Sequence, residues 1–287
     1  MTDQLPTPTS RISPDIARSW LLVNAAKPEL FQAAVNSQAD AVVLDIEDSV
    51  AAAQKEQARR NVVDFFQAGG EAWVRINGFG TAWWEGDLDA LAGFEGMHGV
   101  MLAMVETSEH VQKTAEKLQS HQKVVAMIET ARAMMLLDRI AQSRATFRIA
   151  FGLGDFRRDT GIDDDQMALA YTRSQLTIAS RAAGLPGPID GPAVGATGGK
   201  LANSADNTQK FGMRGKLCLT PEQCPIVNEV LSPSTEDIEW ASEFLADFEA
   251  GGNQIRSASD TPKLARARRL LDLALAFGIT DHEAARG

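Results

Sequence analysis

The chain is poor in the residues that usually announce a cross-link, a soft metal or a membrane. It has only two cysteines, Cys218 and Cys224. They are too few for a disulfide framework, and Cys218 lies in an apolar run as a small core residue, so a reducing cytoplasm is the expected compartment. It has four histidines, none at the end of a strand-like run: His98 precedes one, His110 and His121 fall in or after helical stretches, and His282 is in the tail. That placement argues against a His-ligated zinc or iron site and against a Ser-His-Asp triad. No segment approaches the roughly 18 apolar residues of a membrane span. The polar opening MTDQLPTPTSRISPD lacks the apolar core of a signal peptide. Positive charge is also short, 28 Lys+Arg against 38 Asp+Glu for a net −10. This speaks against a general nucleic-acid binder, whose affinity comes mostly from neutralising phosphates. An anionic substrate would need a local cation or a metal.

What is present is alternation. Eight short β-rich runs, Trp20–Asn24, Ala41–Ile46, Ala72–Asn77, Val100–Val105, Val124–Ile128, Phe147–Gly152, Gly187–Asp190 and Lys216–Leu219, are separated by helical patterns such as Ser49–Phe66, Ser108–Leu118, Arg132–Ala141 and Asp163–Ala183. Most runs are continuously apolar, as strands covered on both faces should be. With 287 residues and 44% hydrophobic content, this predicts an α/β protein, a (β/α)8 TIM barrel over residues 1–232. A doubly wound eight-stranded sheet is the alternative. The third and seventh connections are the least clear. Beyond the eighth run, Pro221 opens a helix, and Thr235–Ala250 and Pro262–Ala276 follow as a helical appendage over 233–287. The run GATGGK (Gly195–Lys200) lacks Walker spacing, with Val194 where a glycine should stand and Leu201 after the lysine. It is expected as a lid or ligand-contact loop.

In such a barrel chemistry gathers where strands end. Acids recur there: Asp45, Glu47 and Asp48 after the second run, Glu106 after the fourth, Glu129 after the fifth, Asp155 after the sixth and Asp190 after the seventh, with Arg75 in the third. Each acid alone is ordinarily a helix cap or a surface charge. A convergent ring of them needs pairing or a metal. Glu129 and Asp155, on successive strands, could hold one Mg²⁺, which takes one or two carboxylates with water and substrate oxygens completing its shell.

The segments RSWLLVNAAKPELFQAA, ADAVVLDIEDSVAAAQKEQAR, WVRINGFGTAWWEGDL, VVAMIETARAM, RIAFGLGDF, AAGLPGPID and GMRGKLCLTPEQCPIVNEV resemble, in order, blocks of the citrate lyase β-subunit-like family of metal-dependent aldolases and acyl-CoA lyases. The resemblance runs from about Arg18 to Ser234. It implies a TIM barrel, Mg²⁺ on Glu129 and Asp155, and Arg75 as the arginine that holds a carboxylate or a developing enolate oxygen. It also implies Asp45, Glu47 and Asp48 as acids lining the site. Asp260 falls where the family carries a lid aspartate that acts as acid/base, often in a neighbouring subunit of a homo-oligomer, here expected as a trimer or hexamer. Arg18, Lys27, Lys55 and Arg59 would contact CoA phosphates.

The chain departs from the family at Asn24-Ala25, Ala103-Met104, Gly154, Thr220-Pro221 and Ser257-Ala258-Ser259. The metal pair and Arg75 keep the pattern, while the periphery that selects thioester and acceptor has changed. The implied reaction is reversible cleavage of a β-hydroxyacyl-CoA into an acyl-CoA and a 2-keto acid. A CoA-independent aldolase for 2-keto-4-hydroxy acids, a thioesterase side activity and a non-catalytic subunit of a lyase complex are the other readings.

Overall fold

A computed structural model describes residues 12–279; the N-terminal stretch up to residue 11 and His282 lie outside them. Eight parallel strands run in chain order: β1 (Ser19–Asn24), β2 (Ala41–Asp45), β3 (Ala72–Ile76), β4 (Met97–Leu102), β5 (Lys123–Ile128), β6 (Thr146–Phe151), β7 (Ile189–Asp190) and β8 (Gly215–Cys218). Each pairs with its sequence neighbours, and β1 pairs with both β2 and β8, so the sheet closes. The protein is a TIM barrel with C-terminal helices. The open doubly wound sheet falls, because Ser19 to Leu21 are hydrogen-bonded in register with Lys216 to Cys218.

All eight expected runs are strands, with shifted ends. The fourth begins at Met97, ahead of the apolar run at Val100. His98 and Gly99 interrupt the hydrophobic pattern because the ladder slips there: Ala72 faces Met97 but Trp73 faces Gly99. Gly99 has φ +153°, and a Cβ on it would strike the Lys123 backbone and the Trp73 ring, so only glycine fits. The third connection carries the helix Trp84–Leu91 and the seventh the helix Gly198–Lys210. The latter takes Gly198 to Lys200 into its first turn, so GATGGK is not a continuous loop. Gln223 fastens the remainder, donating from Nε2 to the Ala193 and Ala196 carbonyls while its Oε1 accepts from the Leu219 N–H.

The strands are almost wholly buried, as parallel strands sheathed by helices must be. Toward their amino ends the barrel is floored by rings: Trp20 and Trp73 meet edge to face at 5.1 Å, and Trp73 stacks on Phe147 at 5.9 Å. Arg148 is fully buried there, over the Trp20 ring, donating to the Pro14, Ala17 and Gly187 carbonyls. Burial pushes its guanidinium down to about 9, although Asp15 and Asp40 oppose the shift.

The chain divides into two compact units, residues 13–228 with the entire barrel and a second comprising residue 12 and residues 229 onward. In the second, the helices Thr235–Ala250 and Asp260–Ala276 pack together. Trp240, Phe244 and Phe248 stack along the first, and Arg266 pairs with Asp237 while covering the Trp240 ring. Among the described residues no helix is long and apolar enough to cross a membrane.

Candidate active site

The carboxyl ends of β2, β3, β5 and β6 deliver one charged constellation. Arg75, on β3, donates from Nε to Asp45 Oδ1 at 2.7 Å and from Nη2 to Asp45 Oδ2 at 2.6 Å, a two-pronged grip on the last residue of β2. Its Nη1 stands 3.4 Å from Glu47 Oε2. Burial works to raise the Asp45 carboxyl, and the Arg75 guanidinium more than offsets it, leaving Asp45 below the usual range. Arg75 is in turn held well above its ordinary value, burial notwithstanding, by Asp45, Glu47 and Glu129.

The remaining acids are under-compensated. Glu129 is 2% exposed. Burial, aided by the charges of Glu47 and Asp155, pushes its carboxyl up to about 8, although the Met104 N–H donates to its Oε1. Glu47 is raised to about 7, by burial and by Asp48 against the pull of Arg75. Asp155 is raised by burial and by its contact with Asp48, with Arg158 opposing. Five carboxyls thus share one guanidinium.

Local sequence explains why they meet. Thr130, directly after Glu129, caps the short helix Ala131–Met135 by accepting from the Ala133 N–H, which turns the chain outward as soon as β5 has placed its acid. Asp155 sits in the first turn of the helix Leu153–Thr160, where a carboxylate suits the positive end of the helix dipole. Gly152 between them is obligatory, since a Cβ there would fall on the Glu129 carboxylate. Met104 has φ +52°, a left-handed backbone unusual for a non-glycine residue, and this conformation carries the N–H that meets Glu129.

The donor set fits a hard divalent cation. Among the described residues no group of three or more His, Cys, Asp or Glu could hold a metal by itself. Glu129 and Asp155 are two oxygen donors, which is what Mg²⁺ commonly takes from protein. Their raised carboxyls are the signature of acids that a cation would relieve.

Several expected site residues lie elsewhere. Arg18 precedes β1, at the amino end of the barrel and opposite the acids. It is bound to Asp40 through Nε and Nη2, which braces that end of the barrel. Arg59 pairs with buried Asp87, which also accepts from Asn77 Nδ2. Lys55 is 7% exposed, with its ammonium turned onto backbone carbonyls. Lys27 is exposed. Asp190 leaves the ring of acids: Arg173 Nε, Thr208 Oγ1 and Lys216 Nζ enclose it in the layer between sheet and helices. Burial alone would raise it, but Lys216 and Arg173 hold it low. Glu106 also stands apart, accepting from Thr130 Oγ1 beside Arg132. Asp260 begins the helix Asp260–Ala276 without capping its amides. Its carboxylate folds back to accept from the Arg256 and Ser257 N–H groups and the Ser257 hydroxyl, which hold it below the usual range. The sequence reading missed the Met104 amide, Gly152 and Lys216; only Gly152, a glycine closing an apolar run, left a visible trace.

The family model described as HpcH/HpaI aldolase/citrate lyase matches residues 18–221, and the one for the HpcH/HpaI aldolase C-terminal domain matches 236–278. A citrate lyase subunit beta-like protein of Mycobacterium tuberculosis is 32% identical over 236 residues, covering 79% of this chain and 83% of its own. The human mitochondrial citramalyl-CoA lyase is 31% identical over 237 residues, covering 73% of this chain and 69% of its own. The crystal structure of CitE from Mycobacterium tuberculosis in complex with magnesium, acetoacetate and coenzyme A superimposes with a TM-score of 0.76 at 29% identity, over 91% of this chain and 99% of that one.

Proposed function

Because the chain belongs to the HpcH/HpaI aldolase/citrate lyase family, a family of lyases and aldolases, we propose that it is a magnesium-dependent carbon–carbon lyase. Its substrate would be a β-hydroxyacyl-CoA of the malyl-, citramalyl- or citryl-CoA type, and its products an acyl-CoA and a 2-keto acid. The observation that carries this reading is the pair of buried Glu129 and half-buried Asp155, both raised, beside a guanidinium that Asp45 and Glu47 hold in place.

Glu129 and Asp155 would hold the metal, which when bound supplies a Lewis acid and a template for the substrate's hydroxyl or keto oxygen and adjacent carboxylate. Cleavage removes the β-hydroxyl proton, breaks the bond between the α and β carbons with its electron pair passing to the thioester enolate, and ends with a proton on that carbon. Arg75, fixed by its two bonds to Asp45, offers a preorganised cation to the developing oxyanion. Glu47, near 7, can exchange a proton at neutral pH, as a general acid or base should. Asp48 completes the acidic wall. Asp260 would serve as acid/base only after leaving Ser257 and Arg256, since in its present bonds it is a firm carboxylate.

The test is turnover by purified protein with Mg²⁺ against a panel of hydroxyacyl-CoAs and of keto acids paired with acyl-CoAs. Absence of turnover on every thioester refutes the reading. A CoA-independent aldolase is the second reading, favoured by the commitment of Arg18 and Arg59 to Asp40 and Asp87, which removes two of the four cations expected at phosphates. Cleavage of a free 2-keto-4-hydroxy acid with no thioester activity would select it.

A further inference from the structure

Lys55 opens the helix Lys55–Gln67 and faces inward. Its Nζ donates to the Glu47 carbonyl at 2.9 Å and to the Ile46 carbonyl at 3.2 Å, and lies 5.0 Å from the centre of the Trp83 ring. An ammonium has three donors. Two are taken by successive carbonyls of the acidic turn that follows β2, and the Trp83 face screens the charge on another side. The Ile46 carbonyl also accepts from Asn77 Nδ2 at 3.3 Å, and Asn77 is joined through Asp87 to Arg59. Lys55 and Arg59, one helical turn apart, therefore bind the exits of β2 and β3 from a single helix face.

The other side of the same turn is equally fixed. The Glu47 N–H donates to Asp45 Oδ1 at 3.0 Å, and Asp45 is gripped by Arg75. With its carbonyls held outward and its amide held inward, the turn has one orientation, and that orientation aims Glu47 at Arg75. We propose that Lys55 is a positioning residue: it clamps the Ile46 and Glu47 carbonyls so that the Asp45–Asp48 acids face Arg75 and Glu129, and it makes no contact with CoA phosphate. The same ammonium brings a positive charge close behind a turn crowded with carboxyls. The kinetic part of this proposal rests on the lyase reading; the structural part does not.

The experiment compares Lys55→Met, Lys55→Gln and Lys55→Arg in the full chain. Backbone deuterium exchange over residues 46–50 should quicken by about tenfold or more in the Met and Gln variants and be largely restored by Arg, while β5 stays protected in all three. Turnover is read with a hydroxyacyl-CoA and with the matching pantetheine thioester, which lacks the nucleotide phosphates. Both substrates should lose about tenfold or more in kcat, with KM moving less than about threefold, because geometry and not binding has been disturbed. Unchanged exchange over 46–50 would overturn the proposal. So would a defect confined to KM for the CoA ester, which would make Lys55 a phosphate contact. If the Met variant does not fold, the Gln variant, polar but one bond too short to span both carbonyls, decides the question. If wild-type protein turns over neither thioester, the lyase reading fails and the exchange result still decides the clamp.

Discussion

Glu129→Gln should make the metal-free protein more stable while abolishing its response to Mg²⁺. The carboxyl stands near 8 in the fold against an ordinary 4.5, raised by burial and then by Glu47 and Asp155 against the Met104 N–H. A carboxyl raised by folding favours the fold fully only below about 4.5, where it is protonated in both states, and loses that contribution as pH climbs through 8. At pH 7 the interval above 4.5, at about 1.4 kcal/mol per pH unit, amounts to roughly 3 kcal/mol, levelling at roughly 5 kcal/mol above pH 8. Glutamine has no proton to lose, keeps nearly the same volume and still offers an oxygen to Met104. In EDTA at pH 7 the variant should therefore melt on the order of 5–10 °C above wild type, and the gap should shrink toward pH 4.5. At about 100 times its Kd, Mg²⁺ should stabilise wild type by roughly 2.7 kcal/mol and the variant by far less. Differential scanning calorimetry across pH, with and without Mg²⁺, reads both effects. Equal melting in EDTA at pH 8, or an undiminished magnesium shift in the variant, would refute the electrostatic reasoning.

Gly152→Ala should forfeit the magnesium-induced thermal shift and lower stability, because its methyl must displace the Glu129 carboxylate; Gly154→Ala, with nothing near its Cβ, should do neither. Lys216→Met should cost about 3–5 kcal/mol in urea unfolding, because it leaves Asp190 and Arg173 an incomplete buried network, while the magnesium shift persists. If the active site is shared between subunits of a trimer or hexamer, then Asp260→Ala and Glu129→Gln proteins, each inactive, should regain part of their activity when dissociated and reassembled together; intact mixed oligomers without activity would confine Asp260 to its own chain.

The barrel was readable because parallel strands sheathed by helices must be apolar throughout, and eight such runs recur. That Arg75, Glu129 and Asp155 gather at one end was readable because residues at or just past a strand's carboxyl end lie at a known end of a barrel. Whether a strand-end acid meets the cluster was not. Asp190 ends β7 and Glu129 directly follows β5, yet Asp190 turns to Arg173 and Thr208 on the surrounding helices, and a two-residue strand leaves no alternation from which to read its side. The pairings of Arg18 and Arg59 were not legible because their partners, Asp40 and Asp87, are 22 and 28 residues away, beyond any local pattern. The role of the Met104 amide belongs to the backbone, to which side-chain identity gives no clue.

Closure of the barrel has a consequence for how the chain is made. Ser19 pairs with Lys216, and Arg148 ties Pro14 and Ala17, across 134 and 131 residues, to the start of β6. The Ser19–Lys216 pairing forms only after nearly the entire first unit has been synthesised, and such remote pairings make folding slow. Until β8 emerges, β1 and the newest strand are both bare edges with unpaired amides and carbonyls, open to pairing with other chains. No fraction of the barrel is a natural resting point. A ribosome stalled before Gly215 releases a sheet without its last strand, and chains truncated there should aggregate where the full chain folds.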